Sequence, residues 1–112
     1  MARYKAWRLY EGTTVVNSFV TDPVLTQISD MMSFTFVKTG DMAGTIELEM
    51  SANGVDFAPY PSSSQVIDGG TDPQTIGYEV RQLGSQYYRL SITVSGGQGD
   101  TVYIDAYQKG QG

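Results

Sequence analysis

Gly44–Tyr60 reads GTIELEMSANGVDFAPY. Thr45, Glu47 and Glu49 alternate with Ile46, Leu48 and Met50, the period-two pattern of a strand with one wet face and one buried face. Asn53-Gly54 follows. Both residues tolerate positive φ, so the pair predicts a tight primed turn between antiparallel strands. Phe57 then re-enters as a large apolar residue. The stretch predicts a hairpin, Gly44 to Phe57, inside an antiparallel β protein.

The same alternation recurs on either side. Before the hairpin, Met32, Phe34 and Phe36 share a parity, and Lys38-Thr39-Gly40-Asp41 reads as a polar turn. An N-terminal strand spans residues 3–10, with Trp7 and Leu9 on one parity and Tyr4, Arg8 and Tyr10 on the other; Glu11-Gly12 ends it in a turn. Val15 to Val20 is a second strand closed by Asp22-Pro23, since proline cannot donate to a ladder, and Val24 to Ile28 is a brief third. After the hairpin, Pro59, Pro61 and three serines make an irregular loop, Val66-Ile67 a short strand, and residues 68–73 a loop. Ile76, Tyr78 and Val80 alternate, and Leu83-Gly84-Ser85 turns the chain. Tyr88, Leu90, Ile92 and Val94 point in while Tyr87, Arg89, Ser91 and Thr93 point out. Gly96 to Asp100 forms a loop, and a closing strand has Val102, Ile104 and Ala106 in, with Tyr103, Asp105 and Tyr107 out. The tail from Lys109 to Gly112 reads as loose. No segment keeps a helical period over three turns. The expected fold is an all-β, antiparallel β-sandwich, jelly-roll-like, of about 7–9 strands in one domain over residues 1–112.

Composition removes several function classes. Among the 112 residues there is no Cys and no His, so neither disulfides nor thiolate metal sites are available and the commonest general base is missing. The formal net charge is −5, which repels a phosphate backbone; nucleic acid is not an expected partner. No apolar run reaches the roughly 20 residues of a membrane span, and MARYKAWRLY lacks the apolar stretch of a secretory signal, so the expectation is no membrane and no export signal.

The remaining chemistry is thin. Serines are plentiful, but Lys5, Lys38 and Lys109 stand at strand edges or in the tail, away from any nucleophile arrangement. Glu47 and Glu49 share a face about 7 Å apart, the wet face of a strand rather than a cleft. Asn53, Asp56, Asp68, Asp72 and Asp100 offer oxygens in loops, yet no segment has the spacing of a calcium loop. The expectation is no enzymatic activity, no catalytic residue, no cofactor and no metal.

Outward tyrosines carry more information. Tyr87, Tyr103 and Tyr107 share an outward parity on two strands expected to pair, with Arg89 among them. Tyr and Arg concentrate at interface hot spots. Three readings stay open: half-buried core under another layer, a partner-contact face, or a sugar-stacking face. Arg3, Lys5 and Arg8 gather three of the seven basic residues at one end of an acidic chain. They read as an electrostatic anchor for a partner or as protection of an open edge.

The stretches SFTFVKTGDMAGTIELEMSANGVDFAPYP and QYYRLSITVSGGQGDTVYIDAYQKG resemble small β-sandwich virion structural proteins of tailed bacteriophages, with Phe57 standing where such proteins often carry Trp. The resemblance implies a structural virion protein, a capsid decoration or cement protein bound to the outside of a phage head. It implies the major capsid protein as partner, a homo-oligomer with a trimer favoured, and a chain made in the host cytoplasm and placed on the capsid surface. The candidate contacts are then Tyr87, Arg89, Tyr103 and Tyr107, with Arg3, Lys5 and Arg8 as anchor. The rival class is a tail- or fibre-associated carbohydrate-binding module.

Overall fold

The computed structural model describes residues 2–26, 29–81 and 85–111, with the side chains of residues 2, 3, 29 and 111 left aside. Ten strands lie among them: β1 (Ala2–Val15), β2 (Phe19–Val20), β3 (Val24–Leu25), β4 (Ser29–Gly40), β5 (Ala43–Ser51), β6 (Ala58–Pro59), β7 (Gln65–Ile67), β8 (Gln74–Val80), β9 (Tyr87–Gly96) and β10 (Gly99–Gln111). The front sheet has the order β1-β10-β4-β8. The back sheet has the order β2-β9-β5-β6, with β3 also on β9 and β7 also on β5. Every pairing is antiparallel. The molecule is an all-β sandwich with ten strands, more than the seven to nine expected, because two edges are broken into short pieces.

Alternation placed the core correctly. Met32, Phe34 and Phe36 of β4 and Val102 and Ile104 of β10 meet Ile46 and Leu48 of β5 and Tyr88, Leu90 and Ile92 of β9, none more than 1% exposed. Met50, at the end of β5, is only half-buried. Tyr78 spans the two layers: its hydroxyl lies 2.6 Å from the Ser63 carbonyl and 3.0 Å from that of Ile46. Burial, with Glu47 adding its charge, pushes the phenol up to about 12, since both disfavour the anion.

Several local expectations give way. β1 does not stop at Glu11-Gly12; it runs to Val15 against β10. A Cβ on Gly12 would stand 2.6 Å from the Tyr10 hydroxyl, so this glycine serves close packing instead of a turn. A register shift between Arg8 and Tyr10 inserts one extra residue and flips the parity beyond it. Tyr10 therefore stacks on Phe19, centroids 4.2 Å apart, instead of sharing a face with Arg8. The tail is not loose as far as it is described, because Gly110 pairs with Arg3 and Gln111 with Ala2.

The second expected strand shrinks to Phe19–Val20 and the third to Val24–Leu25. Gln27, Ile28, Leu83 and Gly84 lie outside the described residues. Thr21 bridges the interrupted edge: its N–H donates to the Leu90 carbonyl at 2.9 Å, and its hydroxyl accepts the Leu90 N–H at 3.0 Å. Nor is Asn53-Gly54 a two-residue hairpin. Met50 pairs with Ala58, so residues 52–57 form a wider loop. Asn53 Oδ1 accepts the N–H groups of Val55 and Asp56 at 2.9 Å each, and Ser51 Oγ accepts that of Gly54 at 2.9 Å. The asparagine satisfies its loop through its side chain, which a tight turn does not require.

Two of the corners that carry the chain between sheets, β4 to β5 and β9 to β10, stack on each other. Gly97 has φ 69°, and a Cβ there would fall 2.0 Å from the Asp41 carbonyl oxygen. Asp41 Oδ1 accepts the Gln98 N–H at 2.9 Å. Gly97-Gln98 thus sends β9 and β10 into different sheets, where the sequence suggests a hairpin pair.

Candidate functional site

That separation decides the candidate contact face. Tyr87 and Arg89 lie on the outer side of the back sheet, Tyr103 and Tyr107 on the outer side of the front sheet. The four do not form one surface. Shared outward parity fixes inside and outside within a sheet, but it does not say which sheet a strand joins.

On the back sheet, Arg89 is held from two sides. Its Nε donates to Glu49 Oε1 at 2.7 Å across the β5–β9 ladder, and its guanidinium lies 3.9 Å from the centroid of the Phe57 ring. The ion-pair side chains are 25% and 16% exposed. Tyr87 packs on Gly54, where a Cβ would come within 3.2 Å of the ring. Both residues are used in seating the 52–57 loop on the sheet. Charge-assisted hydrogen bonds of this kind contribute about 1.5–3 kcal/mol.

On the front sheet, Arg8 makes a parallel arrangement in the open. Nε donates to Asp105 at 2.5 Å and Nη1 to Glu11 at 2.6 Å, while the guanidinium lies 4.2 Å from the Tyr103 centroid. The hydrogen bond to Asp105 is the main reason that the pKa of Arg8 is raised. Tyr107 stacks on Tyr4 with centroids 6.3 Å apart, and Tyr4 is 76% exposed. Between these aromatic pairs lies a shallow depression of about 480 Å³ lined by Ala6, Ser33, Thr35 and Asp105 among others.

Of the basic residues near the start, Arg8 and Lys5 stand on opposite parities of β1. Arg8 stands opposite Asp105 on the outer face, whereas Lys5 stands opposite Gln108 on the inner parity, with Nζ 4.8 Å from the Trp7 centroid. Arg3 stands opposite Gly110 in the ladder, and its side chain is outside the described ones. Lys5, Trp7, Leu9 and the segment Asp22–Leu25 line a cleft of about 550 Å³ between the β1 edge and β3.

Lys38 was missed from the sequence. Read as a turn residue, it is fully buried near the end of β4, and Nζ donates to the carbonyls of Asp68 at 2.8 Å and Gly40 at 2.9 Å. It ties the 68–73 loop to the sandwich. Its parity with Phe34 and Phe36 was the available signal. The carboxylate of Asp68 accepts the Gly70 N–H at 2.8 Å and the Thr71 hydroxyl at 3.1 Å, which lower its pKa. Among the described residues no three acidic side chains gather in a way that could hold a metal ion.

No family model and no curated protein sequence matches the chain. Solved structures share its fold. The PBSX exported protein XepA aligns with a TM-score of 0.66 at 18% identity, over 96% of this chain and 37% of XepA. The SPBc2 prophage-derived protein YomS aligns at 0.60 and 7% identity, over 97% of this chain and 95% of YomS. The coat protein of Tobacco streak virus aligns at 0.58 and 5% identity, over 98% of this chain and 85% of the coat protein. At such identities the likeness is one of fold.

Proposed function

We propose that this chain is a structural protein of a phage particle, specifically a decoration or cement protein on the outer surface of the head. It acts as a homo-oligomer, with a trimer favoured, and its partner is the major capsid protein. The observation that carries this reading is the whole-chain correspondence with prophage-derived YomS, which covers 97% of one chain and 95% of the other. Strand order supports it. With β2 and β3 taken as one edge and β6 and β7 as the other, β1-β10-β4-β8 faces β2/β3-β9-β5-β6/β7, the interleaved order of a jelly roll. Viral capsid and lectin domains share that architecture.

The protein is not an enzyme in this reading. The chain has neither His nor Cys, and the conspicuous charged side chains are engaged with one another. Tyr103 and Tyr107 remain the contact candidates, while Tyr87 and Arg89 serve the fold. Electron cryo-microscopy of particles carrying this chain is the test. Density of its shape on the outer head surface is the expected result. Density confined to the tail or fibres would reject the decoration role in favour of a tail-associated module.

A further inference from the structure

The front sheet ends in two unequal but open edges. β1 pairs with β10 alone and β8 with β4 alone among the described residues. Back-sheet edges are strands of two or three residues, whereas β1 has fourteen and β8 seven. A long open edge presents unpaired N–H and C=O groups and is a template for another chain. We propose that copies of this chain join side by side through these edges, β8 of one against β1 of the next. The inference rests on the oligomer proposed above and names its contact.

Strand direction allows it. Four strands alternating in direction leave the two edges antiparallel to each other. Copies related by rotation about an axis along the strands therefore meet with β8 and β1 antiparallel. Head-to-tail contacts of this kind form a ring when the rotation between copies closes and a filament when it does not.

Register and side chains agree. Trp7 pairs with Ala106, Ala106 with Phe34 and Phe34 with Tyr78, so Trp7 and Tyr78 are the two ends of one inner row. Both are half-buried aromatics, and joining edges at that level makes them neighbours. Ala6 and Glu79 end the adjacent outer row, and Lys5 ends the next inner one. Charge favours β8 over a second β1: β1 begins with Arg3, Lys5 and Arg8, and a β1–β1 contact sets like charges close together. At that register Glu79 stands opposite Ala6 and diagonal to Arg8 on the same outer face, and its exposed pair with Arg81 at 2.6 Å leaves it able to meet a second cation at little cost. Shape follows the same level. The 550 Å³ cleft lies beside β1 at Lys5–Leu9, and the exposed Pro61-Ser62 segment lies beside β8 at Tyr78–Val80.

The natural chain has no cysteine, so site-directed cross-linking is clean. Within one copy β1 and β8 stand three strand spacings apart, about 14 Å, too far for a disulfide. Ala6→Cys and Glu79→Cys variants, mixed and oxidised, should give a two-chain product that neither variant gives alone. The emission of Trp7, the single tryptophan, should shift to the red as the unmodified protein is diluted and the contact opens. A two-chain product from Ala6→Cys alone would place β1 against β1 and overturn the proposal. A multi-copy mass by light scattering with no cross-link would reject the edge contact and leave the oligomer standing. A single-copy mass at all concentrations would remove the oligomer and its contact together, whatever the chain binds on a particle.

Discussion

Arg89 and Arg8 occupy matching positions on opposite faces, and their consequences differ. Each guanidinium lies over an aromatic ring, at 3.9 Å from Phe57 and 4.2 Å from Tyr103, and each bonds a carboxylate across a ladder. The Arg89–Glu49 side chains are 25% and 16% exposed, the Arg8–Asp105 pair 45% and 44%. Water screens the second pair and is partly excluded from the first. Arg89 also fastens a loop distant from its own strand in sequence, so its loss frees backbone as well as charge. Composition alone would rank the two as equals; solvent access separates them.

Arg89→Ala should have the larger effect, costing about 1.5–3 kcal/mol in urea unfolding, and should open the 52–57 loop to protease. Equal losses at Arg89 and Arg8 would break the comparison. Alkaline titration sharpens it, because Tyr78 belongs to neither pair. The folded phenol titrates at about 12, above the ordinary 10. Its contribution is therefore fully present below pH 10 and lost as pH rises towards 12, and Tyr78→Phe should flatten that part of the stability profile. Arg8→Ala should cost least, and the difference should fade as salt is raised. A salt-independent loss at Arg8 would mean that its network is shielded as well as that of Arg89.

Period-two alternation was legible wherever one face met the core. Phe34 and Phe36, Ile46 and Leu48, Leu90 and Ile92 all lie where their parity put them. Three things were not legible, each for a physical reason. A bulge at Leu9 leaves no compositional mark, yet it reverses Tyr10. The partner of a strand depends on a long-range choice, so the Gly97 corner split Tyr87 and Arg89 from Tyr103 and Tyr107. Lys38 looked like a surface residue because charge argues for water, but two backbone carbonyls take its place. Of the candidate contact residues, the outward side of each strand was legible and the sheet that each strand joins was not.

The strand order also sets a timetable. β10 stands between β1 and β4, so Ala2 finds Gln111 only after all the residues between them have been made. During synthesis β1 has no partner while β5 and β9, the long pair of the back sheet, can already meet. Pairings so distant in sequence are slow to form, on the order of milliseconds to seconds in all-β domains. A chain that has emerged only as far as Gln98 would hold a finished back layer and a front layer split in two. Such an intermediate exposes strand edges that the completed protein keeps covered, and it is the stage at which a chaperone, or a neighbouring nascent copy, has the longest access.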